Sequence, residues 1–232
     1  MRSADFSYDA AMTRTHRPLF LAALVAGTGY YANHWIELDG LPGAAWKGSG
    51  VGLLALWAAT QARSLDGWLL AAALTLGTAG DMLLTTHGLT VGAVAFFAGH
   101  CVATGLYLRH RARPWWIAAA VALALPALSW WLPADRGEAP GLAFYALGLG
   151  AMAGTALASR FALAGLGAAL FVVSDLLIFA RLGPLAHSPL PGLLVWPTYF
   201  AGQALIAWGV ATGLRGEAPA EAGGWSQKLR RL

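Results

Sequence analysis

Long apolar blocks separated by short polar connections dominate this sequence. A helix that crosses the hydrocarbon of a bilayer needs about 20 mostly apolar residues, and backbone in lipid must satisfy its own hydrogen bonds, which favours helices. The pattern therefore predicts an all-α integral membrane protein with eight transmembrane helices. The predicted blocks are roughly 18–35, 46–61, 67–85, 89–108, 114–132, 141–158, 161–180 and 190–213.

Composition supports a membrane protein and leaves little room for a second domain. The chain has 232 residues, of which 58% are hydrophobic and only 11% are charged, whereas soluble domains carry roughly 25% charged residues. The connections between blocks are short and rich in Gly, Pro and charge. We therefore expect one membrane domain over 17–214, flanked by cytoplasmic tails at 1–16 and 215–232.

The distribution of basic residues predicts the orientation of the helices. Eight spans place both termini on one side, and cytoplasmic loops carry an excess of Lys and Arg. With the termini inside, the outer segments hold three basic residues, Lys47, Arg136 and Arg181, and the inner ones hold the other twelve. The net charge of +4 is thus a topology signal and does not suggest a nucleic-acid partner. The inner residues are Arg2, Arg14, Arg17, Arg63, Arg109, Arg111, Arg113, Arg160, Arg215, Lys228, Arg230 and Arg231.

Two aspartates lie inside apolar blocks in similar short motifs. Asp81 lies in GDMLL and Asp175 in SDLLI. An ionisable group at the centre of a membrane helix costs about 2.5–3.5 kcal/mol on insertion scales and usually marks a functional site. Both aspartates fall near the outer ends of helices that run in the same direction, so we expect them to share a layer of the outer half of the membrane.

A second pair of motifs predicts an internal repeat. FFAGH, ending at His100, resembles YFAGQ, ending at Gln203, and each follows an aspartate motif by one helix. The copies are offset by four helices, an even number, and so run in the same direction. This predicts two parallel four-helix pseudo-repeats related by an axis along the membrane normal.

Three roles for the two aspartates remain open from the residues alone. In a low-dielectric site one carboxyl group can keep its proton and act as a general acid while the other acts as a base. An intramembrane pair can also line the path of a transporter. It can equally hold helices together in a non-catalytic lipid-binding protein.

Other polar side chains in the blocks are candidates for substrate binding. Lys47 opens the second predicted helix on the outer side, where an ammonium can hold a lipid phosphate or simply reach the membrane boundary. His100 and Tyr107 share one face of the fourth predicted helix, and Tyr199 and Gln203 share a face of the eighth. We expect these faces to line a cavity between helices.

The sequence does not favour a metal site or a disulfide bond. The single cysteine, Cys101, excludes an internal disulfide and a multi-cysteine metal site. Apart from His100, the histidines lie in tails or predicted loops, so we predict no metal site and no cofactor.

These motifs together resemble the YhhN family of eight-helix membrane proteins, which includes lysoplasmalogenases. The resemblance is carried by Lys47, LTLGTAGDMLL (Leu74–Leu84), FFAGH, GAALFVVSDLLI (Gly167–Ile178) and YFAGQ. Family members often have Pro where this chain has Gly48 and Tyr where it has Ala103. Tyr107, one turn further along, is a replacement for that phenol.

The resemblance implies an activity and a substrate. It implies hydrolysis of the vinyl ether bond of a lysoplasmalogen, giving a fatty aldehyde and glycerophosphoethanolamine or glycerophosphocholine. Asp81 and Asp175 are then the acid and base, Lys47 contacts the phosphate, and the partners are the lysophospholipid and membrane lipid. A composition rich in Ala, Gly, Trp and Arg indicates a GC-rich bacterial genome, and hence a bacterial inner membrane.

Overall fold

The computed structural model describes residues 17–216, which form helices without any strand. The all-α prediction is confirmed. Eight long helices follow the eight predicted blocks: α1 (17–29), α2 (Gly40–Gln61), α3 (Leu65–His87), α4 (Leu89–Arg109), α5 (Trp115–Trp131), α6 (Ala139–Ala158), α7 (Ala162–Arg181) and α8 (Leu190–Arg215). The predicted tails, apart from Arg215 and Gly216, lie outside the described residues.

Five of these helices are long and apolar enough to cross a membrane, namely α3, α4, α6, α7 and α8. The apolar helix α5 is shorter, at 17 residues. Large apolar side chains are more than half exposed around the bundle, which suits a hydrocarbon environment better than water; they include Val25, Leu41, Leu56, Val94, Leu123, Trp131 and Phe144. A membrane protein is therefore indicated, and the count of eight spans stays a prediction.

The segment between α1 and α2 differs from the prediction. The predicted block 18–35 is interrupted by a 3-10 turn at Tyr30–Ala32 and a single helical turn at Asn33–Ile36. The α2 helix then begins at Gly40, so Lys47 lies two turns inside it, not at its start. The sequence misled here because Pro42 suggested a loop, although the first turn of a helix tolerates proline.

Six helices form a closed ring in the order α8, α2, α3, α4, α6, α7 and back to α8. The α5 helix packs on the outside of α6. The α1 helix packs beside α2 and α8, where the ring of Phe20 lies 4.7 Å from that of Trp57 and 5.0 Å from that of Trp208. The ring encloses an interior onto which polar side chains from several helices converge.

Glycines allow α7 and α8 to approach each other closely. A Cβ at Gly167 of α7 would lie 2.5 Å from the carbonyl oxygen of Gly202, and one at Gly202 of α8 would lie 2.6 Å from that of Gly167. Small residues at such contacts are typical of membrane helix interfaces, where close backbone packing replaces the hydrophobic driving force.

Charged side chains gather at one end of the bundle, which we call the arginine-rich end (Arg63, Arg109, Arg111, Arg113 and Arg160). Asp66 of α3 accepts from Arg109 Nε at 2.6 Å and contacts His110 Nε2 at 3.0 Å. Arg160 bonds the carbonyl oxygen of Gly213 in α8 at 3.3 Å. The described segments predicted to lie inside thus share this end.

Candidate functional site

Asp81 and Asp175 are both buried, with 2% and 6% of their surface exposed. Asp81 lies six residues before the end of α3, and Asp175 lies six residues before the end of α7. At 1.5 Å per residue each is about 9 Å from its helix end. Both helices end away from the arginine-rich end, so the aspartates occupy the opposite half of the bundle.

Asp81 is held by a short chain of hydrogen bonds from α8. The hydroxyl of Tyr199 donates to Asp81 Oδ2 at 2.7 Å. Gln203 lies one turn further along α8, and its Nε2 donates to the oxygen of Tyr199 at 3.3 Å. The amide thus orients the phenol, and the phenol orients the carboxyl group.

Asp175 is held by a similar chain that draws on two other helices. The hydroxyl of Tyr145, in α6, donates to Asp175 Oδ2 at 2.9 Å. His100 Nε2, in α4, lies 3.1 Å from the same hydroxyl. A phenol has one proton, and Tyr145 gives it to Asp175, so His100 must be the donor to the tyrosine oxygen.

The two chains have the same chemical order: a nitrogen donor, a tyrosine and an aspartate. The nitrogen donors, His100 and Gln203, are the last residues of FFAGH and YFAGQ. The tyrosines come from different places: Tyr199 opens YFAGQ in α8, whereas Phe96 opens FFAGH in α4 and Tyr145 supplies the second phenol from α6. The two chains contain Tyr145 and five residues that were predicted from the sequence, namely Asp81, Asp175, His100, Tyr199 and Gln203.

Tyr145 is the site residue that was not predicted from the sequence. It lies in an apolar stretch of α6, outside every repeated motif, and its partners are 30 and 45 residues away. The available signal was a phenol within an apolar helix, because a buried tyrosine hydroxyl usually has a hydrogen-bond partner.

Lys47 contacts one aspartate and not the other. Its Nζ lies 3.8 Å from Asp81 Oδ1, and its side chain remains 15% exposed. Among residues 17–216, no Lys, Arg or His side chain lies within ion-pair distance of Asp175. The two carboxyl groups therefore differ in charge environment, with an ammonium beside Asp81 and neutral partners around Asp175.

The rings of Phe96 and Phe171 form an aromatic layer that contacts both hydrogen-bonded chains. The ring of Phe171 lies 5.1 Å from those of both Tyr199 and His100, and 6.1 Å from that of Phe96. Gly80 makes room for this layer, because a Cβ there would lie 2.7 Å from the ring of Phe96. Aromatic faces attract positive charge, so the layer suits a cationic species.

A small cavity of about 30 Å³ adjoins this layer; its lining includes His100, Gln203, Phe96, Phe171 and Tyr107. The cavity has room for a water molecule, so a lipid could bind here only if the helices moved apart. Tyr107, a predicted substrate contact, is 1% exposed. Within the described residues its hydroxyl has no hydrogen-bond partner, and the phenol beside His100 is Tyr145.

No cluster of three or more His, Cys, Asp or Glu side chains between residues 17 and 216 is arranged to hold a metal ion. Cys101 is exposed on α4. The chemistry available at the site is therefore that of two carboxyl groups, two phenols, an imidazole, an amide and an ammonium.

Apolar helices around a buried, hydrogen-bonded aspartate pair define a membrane protein with a polar site between its helices. The chain belongs to the YhhN family, whose family model matches residues 43–210. That range includes both aspartates, Lys47 and both hydrogen-bonded chains. No curated protein and no solved structure matches this chain.

Proposed function

We propose that this protein is a membrane-embedded hydrolase that cleaves the vinyl ether bond of lysoplasmalogens. The observation that carries the proposal is the matched pair of buried carboxyl groups. Each accepts a hydrogen bond from a tyrosine, the ring of Phe171 contacts a member of each hydrogen-bonded chain, and of the two aspartates only Asp81 has a described ion-pair partner. Such a pair suits a reaction that must donate one proton and accept another.

The first step is proton transfer to carbon. Asp175, whose described partners are neutral, donates a proton to the β-carbon of the vinyl ether. The electron pair of the double bond forms the new C–H bond, and the α-carbon becomes an oxocarbenium ion. The carboxylate of Asp81 and the faces of Phe96 and Phe171 stabilise this cation, much as the second carboxylate does in glycosidases.

The second step is the addition of water. Asp81 accepts a proton from the attacking water, whose oxygen bonds to the α-carbon and gives a hemiacetal. The hemiacetal then collapses: the carboxylate of Asp175 accepts its hydroxyl proton, the bond to the glycerol oxygen breaks, and protonated Asp81 donates its proton to that oxygen, which returns both carboxyl groups to their starting states. One water is consumed, and the products are a fatty aldehyde and a glycerophospho-base.

We propose that Lys47 binds the phosphate of the lipid headgroup. Its side chain is partly exposed, near Asp81 in the half of the bundle away from the arginine-rich end. An ammonium can attract a lipid phosphate there as a point charge. The alkenyl chain then extends between helices into the lipid. We also propose a bacterial inner membrane as the location, on the compositional grounds given above.

The test is mass spectrometry of lysolipids incubated with the purified full chain. Alkenyl, alkyl and acyl lysophosphatidylethanolamine should be compared, and fatty aldehyde should appear only from the alkenyl lipid. In D₂O the aldehyde should carry one deuterium at the carbon next to the carbonyl, because the proposed first step is proton donation to that carbon.

Isosteric variants identify the acid and the base. Asp81→Asn and Asp175→Asn should each lower aldehyde release by about 10²-fold or more, and the exposed loop variant Asp135→Asn should keep full activity. Full activity in either buried variant would exclude the mechanism. Substrate flux into liposomes with the lipid intact would instead support the transporter alternative.

A further inference from the structure

Two separate cavities both have Tyr107 among their lining residues. The first, of about 30 Å³, adjoins His100 and Gln203. The second, of about 50 Å³, is lined by Tyr107, Leu108, Arg111, Trp115, Ala118, Thr155 and Ala158. Leu108 and Arg111 are exposed at the arginine-rich end, so the second cavity lies near the surface there.

The Tyr107 hydroxyl needs a partner that the described side chains and backbone do not supply. The residue is 1% exposed, and its hydroxyl has no hydrogen bond. A buried hydroxyl without a partner costs about 1–3 kcal/mol. Buried polar atoms are commonly satisfied by water, and each cavity exceeds the roughly 10–15 Å³ that one water requires.

We propose that Tyr107 binds buried water and that the two cavities form a water route from the arginine-rich end to His100 and Gln203. These two residues begin the hydrogen-bonded chains to Asp175 and Asp81. Tyr107 lies two residues before the end of α4, and His100 lies two turns deeper. The route thus approaches the site from the side opposite Lys47.

This route rests on the proposed function only for its purpose, which is to supply the water that hydrolysis consumes. Lipid would enter from the membrane on the Lys47 side, and water would enter from the arginine-rich end. Tyr107 would then contact water and not the lipid, contrary to the substrate-binding role predicted from sequence. Its binding of water can be measured without any substrate.

Hydroxyl-radical footprinting by X-ray radiolysis tests the bound water, because radicals form from water beside a buried side chain. Met152 lines the first cavity and is 2% exposed; Trp57, also 2% exposed, lines neither cavity and is the control. After correction for intrinsic reactivity, Met152 and Tyr107 should be oxidised severalfold faster than Trp57. Tyr107→Phe should reduce the oxidation of Met152. Equal rates would overturn the proposal.

Silver ions test the direction of the route. Thr155 lines the second cavity and bonds only its own helix, so Thr155→Cys in a Cys101→Ala background places a similar-sized thiol there. Ag⁺ added at the arginine-rich face should block this thiol severalfold faster than Ag⁺ added at the other face. The reverse order, or no reaction from either face, would overturn the route. The two proposals are tested independently. Aldehyde release would not by itself support the water route, and a protein that does not hydrolyse the lipid could still contain the route.

Discussion

Tyr145 and Tyr199 make equivalent hydrogen bonds to the two aspartates, although they lie on different helices. Each gives its single proton to an aspartate and accepts from a nitrogen donor. The phenol oxygen is therefore satisfied on both sides, and each aspartate has one oxygen held and one left for other contacts. A buried carboxyl group that is held in this way has a fixed orientation toward a bound substrate.

Tyr145→Phe removes the hydroxyl between His100 and Asp175 while keeping the ring. We expect kcat for aldehyde release to fall roughly tenfold to a hundredfold with little change in KM, since an orienting bond contributes less than the acid itself. A role in packing alone would lower the melting temperature without changing the kcat of the folded protein. Tyr31→Phe, a tyrosine whose ring contacts Trp35, is the matched control and should leave kcat unchanged.

Lys47 and Asp81 should be coupled energetically. Lys47→Met leaves a buried aspartate without its ammonium, which costs about 3–5 kcal/mol when a pair is fully buried and less here, because the lysine is partly exposed. Adding Asp81→Asn to Lys47→Met should recover part of the melting temperature lost. Adding Asp135→Asn should recover none of it. Strictly additive losses for Lys47 and Asp81 would show that the 3.8 Å contact does not stabilise the fold.

At the scale of the helix, small residues decide how near the elements come. The α7 and α8 helices meet at Gly167 and Gly202, where backbone faces backbone. The α7 helix carries Asp175, and α8 carries Tyr199 and Gln203, so this contact also sets the spacing between the two hydrogen-bonded chains. An added methyl group there cannot be absorbed by rotating a side chain.

Gly202→Ala should destabilise the protein by about 1–3 kcal/mol, because its Cβ would press on the carbonyl oxygen of Gly167. Gly105→Ala on α4 is the control: its Cβ would meet no atom within 4 Å, and alanine favours a helix by up to about 1 kcal/mol. Thermal unfolding in detergent should separate the two variants. A melting temperature for Gly202→Ala at or above that of the native chain would contradict the close contact.

For the whole molecule, the ring of six helices has two chemically different ends. The arginine-rich end is tied together by Asp66, Arg109 and Arg160. The aspartates lie in the opposite half, six residues from the ends of α3 and α7. If Lys47 binds the headgroup and Tyr107 binds water, as we propose, the lipid headgroup and water approach the site from opposite ends of the bundle.

The sidedness can be tested with cysteines in a Cys101→Ala background. Ala112→Cys, in the turn at the arginine-rich end, should react with a membrane-impermeant maleimide only from the cytoplasm. Asp135→Cys, between α5 and α6, should react only from outside. Labelling of both cysteines from one side would contradict the predicted arrangement of spans. If each cysteine instead reacted from the side opposite to the predicted one, the arrangement would stand and only the orientation in the membrane would be reversed.

The sequence by itself was enough to predict the long helices and to identify the two aspartates as functional candidates. Length and apolarity specify a membrane helix almost alone, since the backbone has no other way to satisfy its hydrogen bonds in lipid. The cost of a carboxyl group in that setting marks Asp81 and Asp175 as functional candidates. These are local properties, so residues such as Asp175 in SDLLI could be identified from a few neighbours.

Tertiary structure decided which side chains meet. Tyr145 reaches Asp175 because α6 packs beside both α4 and α7, and no spacing along the chain encodes that contact. The same packing leaves Tyr107 without a described hydrogen-bond partner and places Lys47 within ion-pair distance of Asp81 and not of Asp175. Partner choice depends on the order of helices around the ring and on the glycines that set their distances, which are long-range properties of the folded chain.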